Sequence, residues 1–200
     1  KLNASPEKNA TVVLTAGFLQ TVKNGQEIAE MAGLNWPLKH VNERTVPVAV
    51  EADFSVNDAK VLLKISNMGK TIPLFTQKNN IYVLNTHTFS QTDFDAVGEV
   101  LLCPRPLGLL EIQQDWVETI RSAFNQKLNL DLKAPTRVSL QPLGETSWVI
   151  QNYNREAKEI TFSSDGISSL INGFTGEEIS VENGEVKLDL PPRSKIWMKK

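Results

Sequence analysis

Ser147-Trp148-Val149-Ile150-Gln151-Asn152, Lys158-Glu159-Ile160-Thr161-Phe162-Ser163 and Glu185-Val186-Lys187-Leu188-Asp189-Leu190 share one grammar. Apolar and polar residues alternate with a period of two, the period at which a β-strand turns successive side chains to opposite faces. Shorter runs of the same kind are Arg137–Leu140, Ser169–Ile171, Glu178–Val181 and Lys195–Lys199. The connectors carry turn chemistry: Asn152-Tyr153-Asn154-Arg155, Ser164-Asp165-Gly166, Asn172-Gly173, Thr175-Gly176 and Glu182-Asn183-Gly184. Glycine and asparagine tolerate the positive φ that tight hairpins demand. Strands spaced about 8–12 residues apart and separated by such turns predict a small antiparallel β-sandwich over 135–200.

Upstream of Pro135 the pattern differs. Thr11–Thr15 is a nearly all-apolar β-rich run ended by Ala16-Gly17, which suits a strand covered on both faces. Asn24-Gly25-Gln26-Glu27 can open a short helix with Asn24 as its cap, and Gly33 is its stop. Lys60–Ser66, Thr71–Gln77 and Ile81–Thr86 read as a three-strand meander, although Asp58–Ile65 also fits a helical turn. From Leu109 to Leu128, Leu109, Ile112, Trp116, Ile120, Phe124 and Leu128 recur at helical spacing, predicting an amphipathic helix. Strands mixed with helices predict an α/β domain over 1–134, of the flavodoxin or amidotransferase-like kind, followed by the sandwich.

Composition sets limits on function. The 200 residues hold 21 basic and 23 acidic side chains, a net charge of −2, split into −1 on each side of Pro135. That leaves no electrostatic case for nucleic acid, which requires clustered positive charge. No apolar run approaches the roughly 18 residues of a membrane span. The single Cys103 excludes an internal disulfide. Without an initiator Met or a leader, Lys1-Leu2-Asn3 is expected to follow a removed signal peptide or to lie within a longer polypeptide.

No motif supplies a catalytic set. Cys103, with His87 as its base and His40 as the alternate, is the candidate for a cryptic hydrolase, but Leu101-Leu102-Cys103-Pro104 has no glycine elbow and Pro104 removes a backbone donor. Two histidines without a third ligand do not make a zinc site, and Gly166, Gly173 and Gly176 match no phosphate-binding loop, so no cofactor or metal is expected. Asp93/Asp95 and Glu177/Glu178 read as solvated acids rather than a glycosidase pair. In open α/β sheets, ligands gather beyond the carboxyl ends of the strands. That places a vestigial site at Gly17, Phe18, Asn85 and His87. Trp36 and Tyr153 are the aromatics expected at the surface, where a sugar ring could stack on them.

Three stretches carry a family resemblance: Ser147–Asn154, then Ile171-Asn172-Gly173-Phe174-Thr175-Gly176-Glu177, then Leu188-Asp189-Leu190-Pro191-Pro192-Arg193-Ser194. Together they resemble the C-terminal β-sandwich of bacterial glycoside hydrolases of the α-amylase-like and β-galactosidase-like kinds. Asn172 stands where those domains usually carry Asp. The preceding part, through Thr11–Phe18, Ile81–Leu84 and the long helix, is similar to the amidotransferase-like trimerisation domain of β-galactosidases. The resemblance implies a non-catalytic accessory region of a larger exported protein, periplasmic or extracellular. Its partner would be a catalytic domain of the same polypeptide or another subunit. A stand-alone carbohydrate-binding module, with polysaccharide as its ligand, is the alternative.

Overall fold

A computed structural model describes residues 10–40, 50–67, 70–85, 113–125 and 128–200. The chain divides into two compact units, Lys1–Ile112 and Gln113–Lys200.

In the first unit, β1 (Val12–Thr15) runs directly into α1 (Ala16–Thr21) and then α2 (Gly25–Met31). The short strands β2 (Lys39–His40) and β3 (Ala52–Asp53) pair with each other. Then come β4 (Lys60–Asn67), β5 (Lys70–Lys78) and β6 (Ile81–Leu84). The helix α2 stops as its sequence demands. Gly33 takes φ +75°, its N–H donates to Glu30 O, and Leu34 N donates to Ala29 O. That is a Schellman closure, which needs a left-handed residue after the helix. Residues 60–65, which also fitted a helical turn, are strand.

The four-stranded sheet has the order β1-β6-β5-β4. Among the described strands only β1 and β6 are parallel; β4, β5 and β6 are joined antiparallel, as the meander predicts. Ala16, Leu19, Ile28, Ala29 and Leu34 from the helical side share a core with Val83 of β6.

This arrangement overturns the α/β expectation for 1–134. A flavodoxin or amidotransferase-like domain is a series of parallel strands, each linked by a helical crossover. Among the described residues there is one parallel pair, and the two helices of this unit have 6 and 7 residues. An apolar run of four or five residues is compatible with a central parallel strand or with an edge strand. In the described sheet β1 lies at the edge, and Val13 is 46% exposed rather than covered on both faces.

The second unit starts with the amphipathic helix, α3 (Gln114–Asn125). Arg121 on this helix donates to the backbone carbonyls of Ala134, Pro135 and Val138, so the helix is tied to the strands that follow it. Those strands are β7 (Leu130–Lys133), β8 (Val138–Pro142), β9 (Ser147–Asn152), β10 (Lys158–Ser164), β11 (Leu170–Asn172), β12 (Glu178–Ile179), β13 (Glu185–Leu190) and β14 (Lys195–Lys199). They form two antiparallel sheets, β13-β10-β7 and β12-β11-β14-β9-β8.

One apolar core lies between these sheets, a sandwich-like arrangement. Leu132, Ile160, Phe162 and Val186 come from one sheet, and Trp148, Ile150, Leu170 and Met198 from the other. The Trp148 and Phe162 rings meet across the layers at 5.3 Å. The alternation is realised residue by residue: in β9, Trp148, Ile150 and Asn152 are buried while Ser147, Val149 and Gln151 are not. β7, which lies before Pro135, supplies an edge of the three-stranded sheet.

Candidate functional site

The carboxyl ends of β1 and β6 are where the sequence places a site. Thr15 caps α1, its Oγ1 accepting from Phe18 N at 3.1 Å. The Phe18 ring is 46% exposed. One residue earlier, Gly17 N donates to Oε2 of Glu51 at 2.5 Å. A Cβ on Gly17 would lie 2.9–3.0 Å from the Glu51 carboxylate, so glycine is what admits this close approach.

Asn85 follows β6 and is fully buried. Its Oδ1 accepts from Ala52 N at 2.9 Å, and its Nδ2 donates to Ala52 O at 2.7 Å and Pro73 O at 2.8 Å. Its own N–H donates to Leu74 O. Both amide hydrogens are therefore engaged with backbone, which is the full donor capacity of an asparagine. Holding Ala52 in this way places its neighbour Glu51 beside Gly17. The arrangement fastens the segment after residue 50 to the sheet, and three of the four predicted site residues sit at or beside it. The fourth, His87, lies outside the described residues, as do Cys103, Asp93 and Asp95.

Glu51 was not anticipated from the sequence. The signal was present: an acid directly after Pro47-Val48-Ala49-Val50, in a chain where acids are rarely buried. Its residue is only 8% exposed.

A second polar cluster lies in the other unit. The Asn152 side chain is also fully buried, and its Nδ2 donates to the carbonyls of Glu156, Leu190 and Pro191 at 2.9–3.1 Å. Its Oδ1 accepts from Asn154 N and Asn154 Nδ2. Asn154 in turn donates to Thr136 O, its carbonyl accepts from Arg193 N, and Ser194 O accepts from Asn152 N. Asn152 and Asn154 come from one of the motif stretches and Leu190-Pro191-Pro192-Arg193-Ser194 from another, and the two close into one knot. Beside it, Tyr153 N donates to Arg137 O and the Tyr153 side chain is 51% exposed.

The remaining candidates are aromatic. Trp36, 38% exposed, precedes Pro37 through a cis peptide bond in the first unit. The outer face of the five-stranded sheet adds a pair of rings, Phe174 and Trp197. Phe174, 55% exposed, packs edge-on to Trp197 at 5.7 Å, and Lys199 Nζ lies 3.7 Å over the Trp197 ring. Trp197 Nε1 donates to Ser147 Oγ, and Gly173 lies so close to the indole that a Cβ there would be 2.4 Å from it. Trp197 is thus half-buried within its own unit, Lys195 Nζ lies 5.5 Å over the Phe174 ring, and Tyr153 and Phe174 remain exposed residues.

Of the acid pair on the sandwich, Glu177 accepts from Thr175 Oγ1 while Glu178 lies exposed on β12. Among the described residues no group of three or more His, Cys, Asp or Glu is placed to hold a metal ion. No helix among them is long and apolar enough to cross a membrane. Comparison with models of protein families, with curated proteins and with solved structures finds no match to this chain.

Proposed function

We propose that this chain is a non-catalytic accessory region of a larger carbohydrate-active protein related to the glycoside hydrolases, packing on a catalytic domain of the same polypeptide or on another subunit. The observation that carries this reading is the knot at Asn152. Two of the three stretches that bear the family pattern lie up to 42 positions apart, from Asn152 to Ser194, yet they are hydrogen-bond partners in one network centred on the buried Asn152 side chain. Such a network rigidifies a fold and leaves few polar groups for substrate. At the other candidate position, the amide of Asn85 is likewise engaged with the chain's own backbone. Both support a body whose polar chemistry serves its own architecture.

The reading is tested in two ways. The complete coding sequence is expected to place a glycoside hydrolase catalytic domain in the same reading frame or an adjacent one; a frame with no such neighbour counts against it. The purified chain is expected to release no product from a panel of aryl glycosides and polysaccharides. Turnover that persists through repurification and disappears on Cys103→Ala would replace the reading with the cryptic hydrolase.

One observation favours the second reading, a carbohydrate-binding module: Tyr153 and Phe174 are exposed aromatic residues of the second unit. Sugars stack on such rings through their apolar faces. Affinity electrophoresis through gels containing polysaccharide separates the two readings. Retardation that is lost on Tyr153→Ala, Phe174→Ala or, in the first unit, Trp36→Ala establishes the binding module.

A further inference from the structure

The sequence contains three Asn-Gly pairs, Asn24-Gly25, Asn172-Gly173 and Asn183-Gly184. Such a pair can convert itself. The glycine nitrogen, having lost its proton, attacks the asparagine side-chain carbonyl carbon and forms a C–N bond. The side-chain nitrogen leaves as ammonia, and a five-membered succinimide remains. Water then opens one of its two carbonyls, giving aspartate or the iso-aspartate in which the main chain runs through the former side chain. The step needs only water, and it needs the glycine N–H unengaged and the asparagine free to rotate toward it.

The structure treats the three pairs differently. Gly25 is buried at the start of α2, its N–H donates to Val22 O at 3.1 Å, and a Cβ there would strike Leu19 O. Gly173 N donates to Trp197 O at 2.6 Å, and Asn172 Oδ1 is held by Phe174 N at 3.0 Å. At both positions the attacking nitrogen is already donating to a carbonyl, so it neither releases its proton readily nor turns. Asn183 and Gly184 instead form the two-residue loop between Glu182 and Glu185, with φ of +53° and +77°, the type I′ geometry. Asn183 is exposed, and no described hydrogen bond involves its side chain or the Gly184 N–H. The two bonds between Glu182 and Glu185 alone close this tip, and local opening at such a tip costs little compared with global unfolding.

We propose that Asn183 is a site of spontaneous succinimide-mediated deamidation in the folded protein, and that Asn24 and Asn172 are protected from it. Either product adds a carboxylate between Glu182 and Glu185, with Lys187 the basic side chain in the same shallow depression. The iso-aspartate also lengthens the main chain inside a loop whose register allows two residues, which loosens the entry into β13.

The test follows the folded chain over time at mildly alkaline pH by peptide mass spectrometry, with iso-aspartate detected by enzymatic methyl transfer. The Asn183 peptide is expected to gain about one dalton, more than about tenfold faster than the Asn24 and Asn172 peptides, a gap of about 1.4 kcal/mol in barrier. In concentrated urea all three are expected to convert at comparable rates, because the distinction is made by the fold. Asn183→Gln is expected to remove the methyl-accepting site from the folded chain. Equal rates at the three positions in the folded chain, or an Asn183 that converts only in urea, would overturn the proposal.

Discussion

Asn85 and Asn152 are both fully buried, one in each unit, and both work through an amide turned onto backbone. Asn85 substitutes for a strand. Its Oδ1 and Nδ2 give Ala52 the donor and acceptor that a neighbouring strand residue would have offered, and Nδ2 also reaches Pro73 O in β5. Asn152 instead sits where the chain leaves a sheet whose ladders are already paired. Its two N–H groups are shared among the carbonyls of Glu156, Leu190 and Pro191, tying the corner where the chain crosses from β9 in one sheet to β10 in the other to the end of β13. The first unit uses a side chain to complete its pairing; the second uses one to lock a pairing that is complete.

That contrast orders the expected effects. Asn152→Ala leaves three carbonyls and the Asn154 donors without their partner, a loss of about 3–4 kcal/mol. It is read as a lower denaturant midpoint at unchanged slope, with amide protection falling in β9 and β13. A loss below about 1 kcal/mol would mean that water replaces the amide, and the two asparagines would no longer differ in kind. Asn85→Ala is expected to cost less, about 2–3 kcal/mol, and to release Ala52 from exchange protection while leaving β9 and β13 protected. Loss of protection in both units would break the comparison by showing that they unfold together.

The glycines extend it. Gly173→Ala drives a methyl to within 2.4 Å of the Trp197 indole, whereas Gly17→Ala meets the Glu51 carboxylate at the longer distance of 2.9 Å. Overpacking of the first kind costs about 1–3 kcal/mol, and the Gly17 substitution should cost less. Tryptophan emission and thermal unfolding of the two variants measure the order; a larger loss at Gly17 would show that the Glu51 carboxylate is held as firmly as the indole.

The smallest effect concerns Glu156. Its hydrogen bond and charge pairing with Lys158, at 2.9 Å, hold its carboxyl below the usual carboxylate range. A depressed folded value contributes stability above the unfolded pKa that fades as pH falls through the folded one. The group is fully exposed, so Glu156→Gln should flatten only slightly the acid limb of a plot of melting temperature against pH. A marked change there would mean that acid sensitivity resides in this surface pair.

Much of the second unit was legible because its signal is local. Ser147–Asn152, Glu185–Leu190 and Lys195–Lys199 are strands with the bounds their alternation gives, and the Gly and Asn turns between them adopt positive φ at Gly166, Gly176, Asn183 and Gly184. The meander of β4, β5 and β6 was legible for the same reason. At the candidate site, Gly17 and Asn85 were picked out by position alone; that Asn85 closes on Ala52, and that Glu51 closes on Gly17, joins residues 33 and 34 positions apart.

Local pattern sufficed for most strands and turns of the second unit, for the β4–β6 meander and for the stop of α2, since period-two alternation and the φ freedom of glycine act within a few residues; α1, β2, β3 and β7 are elements it did not predict. The pairing of elements was set by contacts distant in the chain. They set β1 beside β6 with Val13 exposed, joined α3 and β7 to the sandwich-like unit, and drew the separated pieces Asn152, Asn154 and Pro191–Ser194 into one knot. Those choices depend on hydrogen-bond satisfaction and apolar burial between residues distant in the chain, which no local pattern records.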